Sequence, residues 1–398
     1  MDRSIFKILL PIILVIAVFF TAKYLDSNPR TVVSDSASAE TQRQPEMSET
    51  REYLYQEATE PTLPEAAEQE VTEATEATET VQPAETVPEE TQTQRRYVFT
   101  FGGDCTLSGP GGIVTSGDGI VTVIGEDYQY PFRNIRSWFA GDDFTMINLE
   151  CVLTDSGFPV VDEYPFRGAE AYVEILSGSS VENVSLANNH TLDYGIDGYN
   201  RTREVLENVG ITYVERDKSR MFTLKDGLTV GIYTSVYYNM DTAVIRKEIT
   251  ALREAGADIV IFAAHWGYEG NYKPREQEIA LAHAAVEAGA DIIYGTHPHV
   301  LQPVETYQNG VIFYSLGNLC YGGNVHLKDM DTALIQVEVV VGEDGVATVD
   351  KWTAIPCSIS FVEDRNNYQP TPYAADSEGY RRVMSKLDGS WDKDYVEN

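Results

Sequence analysis

At 398 residues, with 62 acidic side chains against 29 basic ones and a formal net charge of −33, the chain lacks the basic footprint that attracts phosphate backbones, which excludes nucleic acid as a partner. Four cysteines in a chain this long exclude a disulfide scaffold. The length has room for two domains, but the composition is uneven, so the unusual segments are set aside first.

Residues 8–22, ILLPIILVIAVFFTA, are almost wholly apolar and about the length of a signal-peptide core or a short membrane span. Arg3 and Lys7 precede the run and acidic sequence follows it, so the positive-inside rule predicts a cytoplasmic N-terminus with the rest outside. Residues 1–25 therefore read as a membrane anchor or signal-anchor, with the small residues SASA at 36–39 as an alternative cleavage point. The expected location is the cell membrane, single-pass, with an extracellular folded domain. From 26 to 95 the chain is Thr, Glu, Pro, Gln and Ala, including the repeat TEATEATET, with 16 acids against Arg43 and Arg51 between residues 31 and 94. So little apolar surface cannot offset ordering entropy, and the segment is predicted to be a disordered acidic linker, extended by self-repulsion. It is either a spacer that holds a domain off the bilayer or a tolerated connection.

From 96 to 360 strand-like and helical runs alternate, the pattern of one mixed α/β domain with its site at strand ends. RYVFTFGGD (96–104) and FTMINLE (144–150) read as buried strands running into acids. VENVSLANNH (181–190) and ADIVIFAAHW (257–266) run into amides and histidines, and ADIIYGTHPH (290–299) ends in a histidine pair. Helical spacing marks 197–210 and 274–290, with Pro274 expected in a first turn and Gly289 near an end. Hairpin turns are predicted at Asp226–Gly227, Asn309–Gly310 and around Asp344–Gly345. Residues 361–398 read as a peripheral tail with one helix at 376–387.

The polar residues ending these strands are Asp104, Asn148 with Glu150, Asn188, Asn189 and His190, His265, His297 and His299. Carboxylates and amides mixed with imidazoles suit Mn, Fe or Zn, and a carboxylate shared by two such ions is a common binuclear arrangement. Alternation along an extended His297-Pro298-His299 segment would put both imidazoles on one side. Four of the six histidines lie at strand ends. Of the others, His283 reads as structural in a packed helix, and His326 in YGGNVH either approaches the pocket or lies idle. Cys105 and Cys151 each follow a candidate ligand, and a bridge between them requires neighbouring strands. Arg167 in EYPFRG either pairs with a substrate carboxylate or phosphate or forms a salt bridge with a nearby Glu. Glu269, Trp266 and Tyr268 flank the His265 strand end. Ser315 has no base beside it in sequence and is not read as a nucleophile.

FGGD, INLE, LANNHTLDYG, AAHWGYE, GTHPHVLQPVE and YSLGN, in this order over about residues 97–320, resemble the CapA-type bacterial capsule-synthesis proteins, the poly-γ-glutamate family of the calcineurin-like metallophosphoesterase superfamily. The resemblance implies a four-layer α/β/β/α sandwich with mixed sheets over 96–360. It implies two divalent ions: Asp104 and His299 on the first, Asn189, His265 and His297 on the second, and Glu150 bridging. His190 takes the position of the catalytic histidine, with Asp193 orienting it or stabilising the turn. Asn188, Glu269, Asn318 and Arg167 are expected at the substrate. The family's opening motif is Asp, any residue, His; here Asp104, Cys105, Thr106 lacks that imidazole, so the first ion would be more weakly held.

The residues and the resemblance together predict a membrane-anchored, metal-dependent hydrolase acting on a phosphoester or an anionic polymer in poly-γ-glutamate capsule synthesis, export or processing, partnered by other capsule-synthesis membrane proteins. The alternatives are a non-catalytic surface subunit that binds the anionic polymer, and a retained fold whose site is inactive because of Thr106.

Overall fold

The strand β1 (Arg95–Cys105) is the spine of the first of two large sheets in the computed structural model, which describes residues 94–161 and 164–397. The anchor expected at 1–25 and the linker at 26–95, its last two residues apart, lie outside the described residues. Among the described residues no helix is long and apolar enough to cross a membrane.

Parallel neighbours of β1 are β2 (Phe144–Leu149) and, at its far end, β13 (Asn318–Cys320); β2 is followed across the sheet by β5 (Asn183–Ser185) and β6 (Thr212–Val214). On the other side β14 (Asp331–Val341), β15 (Ala347–Ser358) and β16 (Thr371–Pro372) continue antiparallel. The second sheet runs β11 (Val304–Tyr307), β12 (Gly310–Phe313), β10 (Ile292–Thr296), β9 (Ile259–His265), β8 (Thr229–Val236), β7 (Ser219–Thr223), with β12, β10, β9 and β8 mutually parallel. A short pair, β3 (Val152–Leu153) and β4 (Arg167–Gly168), stands apart. The continuous apolar runs of β2, β9 and β10 follow from burial on both faces, as parallel strands require.

Phe99, Phe101 and Met146 of the first sheet meet Ile232, Ile261 and Tyr294 of the second in a core between them. The outer face of the first sheet, with Ile147, Leu149 and Val184, is covered by helices that include α1 (Val173–Ser177) and α2 (Gly195–Asn208). Over the second sheet, Val260, Phe262 and Ile293 pack on α3 (Thr242–Glu254) and α4 (Glu276–Glu287). The result is the expected four-layer α/β/β/α sandwich with mixed sheets.

Some local readings need amendment. Pro274 lies two residues before α4, whose start is held by Glu278 reaching back to the Arg275 amide (2.8 Å). The β11–β12 turn is at Gln308–Asn309, because Gly310 already pairs with Tyr307. Helix α3 was not anticipated, although Asp241 caps it by accepting from the Ala243 and Val244 amides and Ile245, Ile249 and Leu252 share its buried face.

The C-terminal stretch is integral to the domain rather than a peripheral tail. Helix α5 (Glu378–Leu387) places Val383 and Leu387 in the inter-sheet core. The buried Lys386 donates to Asp329 (2.6 Å) and Asp331 (2.7 Å), Arg382 grips Asp331 through two nitrogens at 2.7 Å, and Tyr272 donates to Asp329 (2.8 Å). Burial alone would raise the Asp331 carboxyl, but Arg382 and Lys386 outweigh it and hold it below its usual range. Lys386→Ala leaves two carboxylates buried with a cation missing and is expected to lower stability by about 3 kcal/mol. A shifted midpoint in urea unfolding reads this out; an unchanged midpoint would show the network to be dispensable.

Candidate metal centre

Asp104 lies at the end of β1, Glu150 directly after β2, Asn188, Asn189 and His190 a few residues past β5, and His265 on the last position of β9; His297 and His299 follow β10. All are at the carboxyl ends of parallel strands, where the two facing sheets present their loops to a common space. Asp104, Glu150 and His297 are fully buried. The His297 amide donates to Asp104 Oδ2 (3.1 Å), and Tyr294 Oη donates to the Gly102 carbonyl (2.5 Å), so hydrogen bonds join the sheets beside the cluster. A Cβ on Gly103 would run into the Gly317 carbonyl, so only glycine lets the β1 end pack against the YSLGN segment.

His297 and His299 do reach one cavity, but not by alternation along an extended segment. Both have left-handed backbone, φ 98° and 56°, so the chain folds around Pro298 and leaves the two rings 6.0 Å apart. Tyr237 stacks on His297 at 4.9 Å.

Ligand atoms of Glu150, His297 and His299 lie within 4.8 Å of one another, and so do those of Asp104, Glu150 and His265. Glu150 belongs to both groups, as a bridging carboxylate must. His299 Nδ1 also lies 3.3 Å from Asp104 Oδ2, and the His265 and His297 rings are 4.6 Å apart, so these contacts do not divide the residues between two ions. Asn189 Oδ1 and His265 Nε2 lie 2.8 Å apart, within reach of a shared ion.

Burial pulls the His265 and His297 imidazoles down, His297 to about 3, with the neighbouring imidazoles adding to the effect; both are thus kept in the neutral form a cation binds. Burial would also depress His299, but the charges of Glu150 and Asp104 prevail and hold it up to about 10. Burial, then the Asp104 charge, pushes Glu150 well above the usual carboxylate range. Glu150 Oε1 and both ring nitrogens of His297 are buried without hydrogen-bond partners. Acceptors are not left so at random, and this donor set of carboxylate oxygens and imidazoles fits one or more divalent cations. Thr106 stands where a further imidazole was missed. It donates to the Ser108 carbonyl and accepts from the Gly322 amide, both at 2.8 Å, so it braces a loop and adds no ligand.

His190 belongs to neither ligand group. Its Nδ1 lies 2.7 Å from Asp193 Oδ2, which also accepts from the Phe166 amide (2.8 Å), and its ring stacks on Phe166 at 4.1 Å. Asp193 thus orients His190, one of the two roles expected of it.

Two residues expected at the substrate are otherwise engaged. Asn188 donates to Asn148 (3.0 Å) and the Leu149 carbonyl (2.9 Å) and accepts from the His190 amide (3.0 Å) and the Thr191 hydroxyl (3.0 Å). Asn318 accepts from His299 Nδ1 (3.0 Å) and donates to the His299 carbonyl (3.1 Å). Both amides are buried: Asn318 positions the candidate ligand His299, and Asn188 ties Asn148 to the His190 segment.

Arg167 is exposed, its guanidinium 5.0 Å over the Tyr194 ring, and Glu269 is exposed on the loop after β9, its charge felt at Glu150 and His299. His326 is exposed, and His283 stacks on Tyr307 at 3.7 Å and pairs with Glu305, the structural role expected. Ser315 donates to the Val300 carbonyl (2.7 Å), Trp266 to the Tyr314 carbonyl (2.9 Å), and Arg275 lies over Tyr268. Cys105 and Cys151 lie on or beside neighbouring strands, but both are free, buried thiols.

Sequence reasoning gave no role to two positioning groups. The Asn148 amide donates to Asp104 Oδ1 (2.8 Å) and Glu150 Oε2 (3.4 Å), aligning both carboxylates. A cation taken at His265 Nε2 leaves Nδ1–H to donate to Thr296 Oγ1 (3.0 Å), whose own proton goes to the Ala264 carbonyl (3.4 Å). Thr296→Val keeps the shape and removes that acceptor, and a loss of roughly tenfold in metal affinity by chelator competition is expected. Unchanged affinity would remove Thr296 from the account.

Residues 98–233 and 215–322 match the family described as bacterial capsule synthesis protein PGA_cap. The capsule biosynthesis protein CapA of Bacillus anthracis is 29% identical over 295 residues, covering 67% of this chain and 69% of that protein. The PGA biosynthesis protein CapA of Bacillus subtilis is 29% identical over 254 residues, covering 57% and 67%.

Proposed function

Since this chain belongs to the bacterial capsule synthesis protein PGA_cap family, we propose that it is a metal-dependent hydrolase of the phosphoesterase type that serves poly-γ-glutamate capsule synthesis, export or processing from the outer face of the cell membrane. The relatives' names supply the process, and the apolar run at 8–22 with the acidic segment after it supplies the tether and the side of the membrane. One observation carries the chemistry: two overlapping ligand groups share Glu150, with buried acceptor atoms of Glu150 and His297 left without partners.

The chemistry that two divalent ions, Mn, Fe or Zn, supply in such a site is polarisation of the electrophilic oxygen and activation of water. The chain's own residues do the rest. Asn148 holds Asp104 and Glu150 in fixed orientations, and Asn318 and Thr296 fix the rings of His299 and His265. Asp193, at Nδ1 of His190, leaves Nε2 to give a proton to the leaving-group oxygen, and stacking on Phe166 keeps that ring from turning away. Arg167 and Glu269 at the rim are the groups left to meet the remainder of the substrate.

Purified protein loaded with Mn, Fe or Zn is to be assayed against a phosphodiester, a phosphomonoester and poly-γ-glutamate. Turnover that a chelator abolishes and added metal restores is expected. No turnover of any of the three, with polymer binding that survives His190→Ala, would overturn the hydrolase in favour of a surface subunit that binds the anionic polymer.

A further inference from the structure

The wall of the metal pocket holds one hydrogen-bond donor with no role so far, the phenol of Tyr321. Its ring is 5.3 Å from that of the candidate ligand His299 and 6.2 Å, edge-on, from Phe166, the ring on which His190 stacks. It therefore borders both a candidate ligand and the ring that supports the proton donor. Among the described residues none hydrogen-bonds to its hydroxyl, although the ring is largely enclosed. The carboxylates of Glu150, Asp104 and Glu269 are all near enough to act on it electrostatically.

The backbone around it is fixed from several directions. Asn366 donates to the Tyr321 carbonyl (2.6 Å) and to the Asn324 carbonyl (3.2 Å). The Gly322 amide donates to Thr106 Oγ1 (2.8 Å), so the residue found in place of an imidazole braces the loop that delivers the phenol. A Cβ on Gly323 would come within 2.5 Å of the Tyr321 hydroxyl oxygen and 2.6 Å of Cζ, so the phenol has its place only because residue 323 lacks a side chain. An anchored tyrosine with an uncommitted hydroxyl beside a ligand cluster is placed to donate to an anion bound there.

We propose that Tyr321 is a substrate-contacting residue of this site, donating its phenolic hydrogen bond to an oxygen of a tetrahedral oxyanion, a phosphoryl group, held at the cations. This rests on the reading of the site as a metal-dependent phosphoesterase centre and adds a residue that contacts the group held there. No covalent step is involved: the phenol keeps its proton and the oxyanion its charge.

The test is titration calorimetry of inorganic phosphate into the full chain loaded with Mn(II), comparing wild type, Tyr321→Phe and Gly323→Ala. A hydrogen bond to a charged group implies that Tyr321→Phe binds phosphate at least about tenfold more weakly with unchanged manganese content. Gly323→Ala, which displaces a phenol still present, should weaken binding in the same direction. Equal affinities for wild type and Tyr321→Phe would overturn the proposal, as would failure of the wild type to bind phosphate or loss of manganese in Tyr321→Phe. Phosphate binding that depends on Tyr321, in a protein that turns over no phosphoester, would sink the hydrolase and leave this contact standing.

Discussion

Glu150→Ala is expected to cost the protein more than about 100-fold in divalent-metal affinity, beyond the roughly 10- to 100-fold lost when an outer partner of a ligand is removed. Glu150 is the only residue common to both ligand groups, so its loss takes an anionic ligand from each cation position at once. No neighbour can take its place: Asp104 is tied to Asn148 and the His297 amide, and the Asn189 and Asn318 side chains are bonded to His265 and His299. Elemental analysis after dialysis, compared with wild type, measures the effect. Metal-free Glu150→Ala should be no less stable than metal-free wild type, because burial and the Asp104 charge make this carboxylate costly without a cation. Retained metal would show that Glu150 does not bridge; metal loss accompanied by collapse of the fold would show a structural role instead.

His190→Ala is expected to reduce phosphoester turnover by about 10²- to 10⁴-fold, the usual span for removal of a positioned proton donor, while bound metal stays at the wild-type level. The separation is possible because His190 lies outside both ligand groups, held by Asp193 at 2.7 Å and by the Phe166 ring. Asp193→Asn should produce a smaller loss, since the imidazole remains but the carboxylate that sets its tautomer is replaced by a neutral amide. Steady-state kcat measured beside metal content decides the matter. A kcat that falls only in proportion to lost metal would make His190 a support for the cations rather than the acid.

The strand ends were legible in the sequence because parallel strands buried on both faces read as unbroken apolar runs, and an Asp, Glu or His at the end of such a run stands out. The same alternation marked a mixed α/β domain, and the four-layer order came from the family resemblance. What could not be read depends on contacts between residues far apart in the chain. The left-handed backbone at His297 and His299 has no signature in residues that are not glycine, and it is what turns both rings toward one cavity. Asn188 and Asn318 carry motif positions that suggested substrate contact, and only the structure shows their amides committed to Asn148, His190 and His299. Thr296 and Tyr321 are unremarkable by type and gain meaning from the rings they face. The C-terminal stretch looked peripheral because its apolar pattern is thin. Its attachment comes from Lys386 and Arg382 reaching Asp329 and Asp331, partners about 50 residues away in sequence. Helix α3, by contrast, had a local signal in Asp241 followed by Ile245, Ile249 and Leu252.

The most direct test is anomalous diffraction from crystals of protein purified without chelator, recorded at the absorption edge of whichever metal elemental analysis detects. Strong density is predicted roughly 2.0–2.2 Å from a Glu150 carboxylate oxygen and from ring nitrogens of the His265, His297 and His299 set. Anomalous density confined to the protein surface, with none in contact with Glu150, would contradict the account.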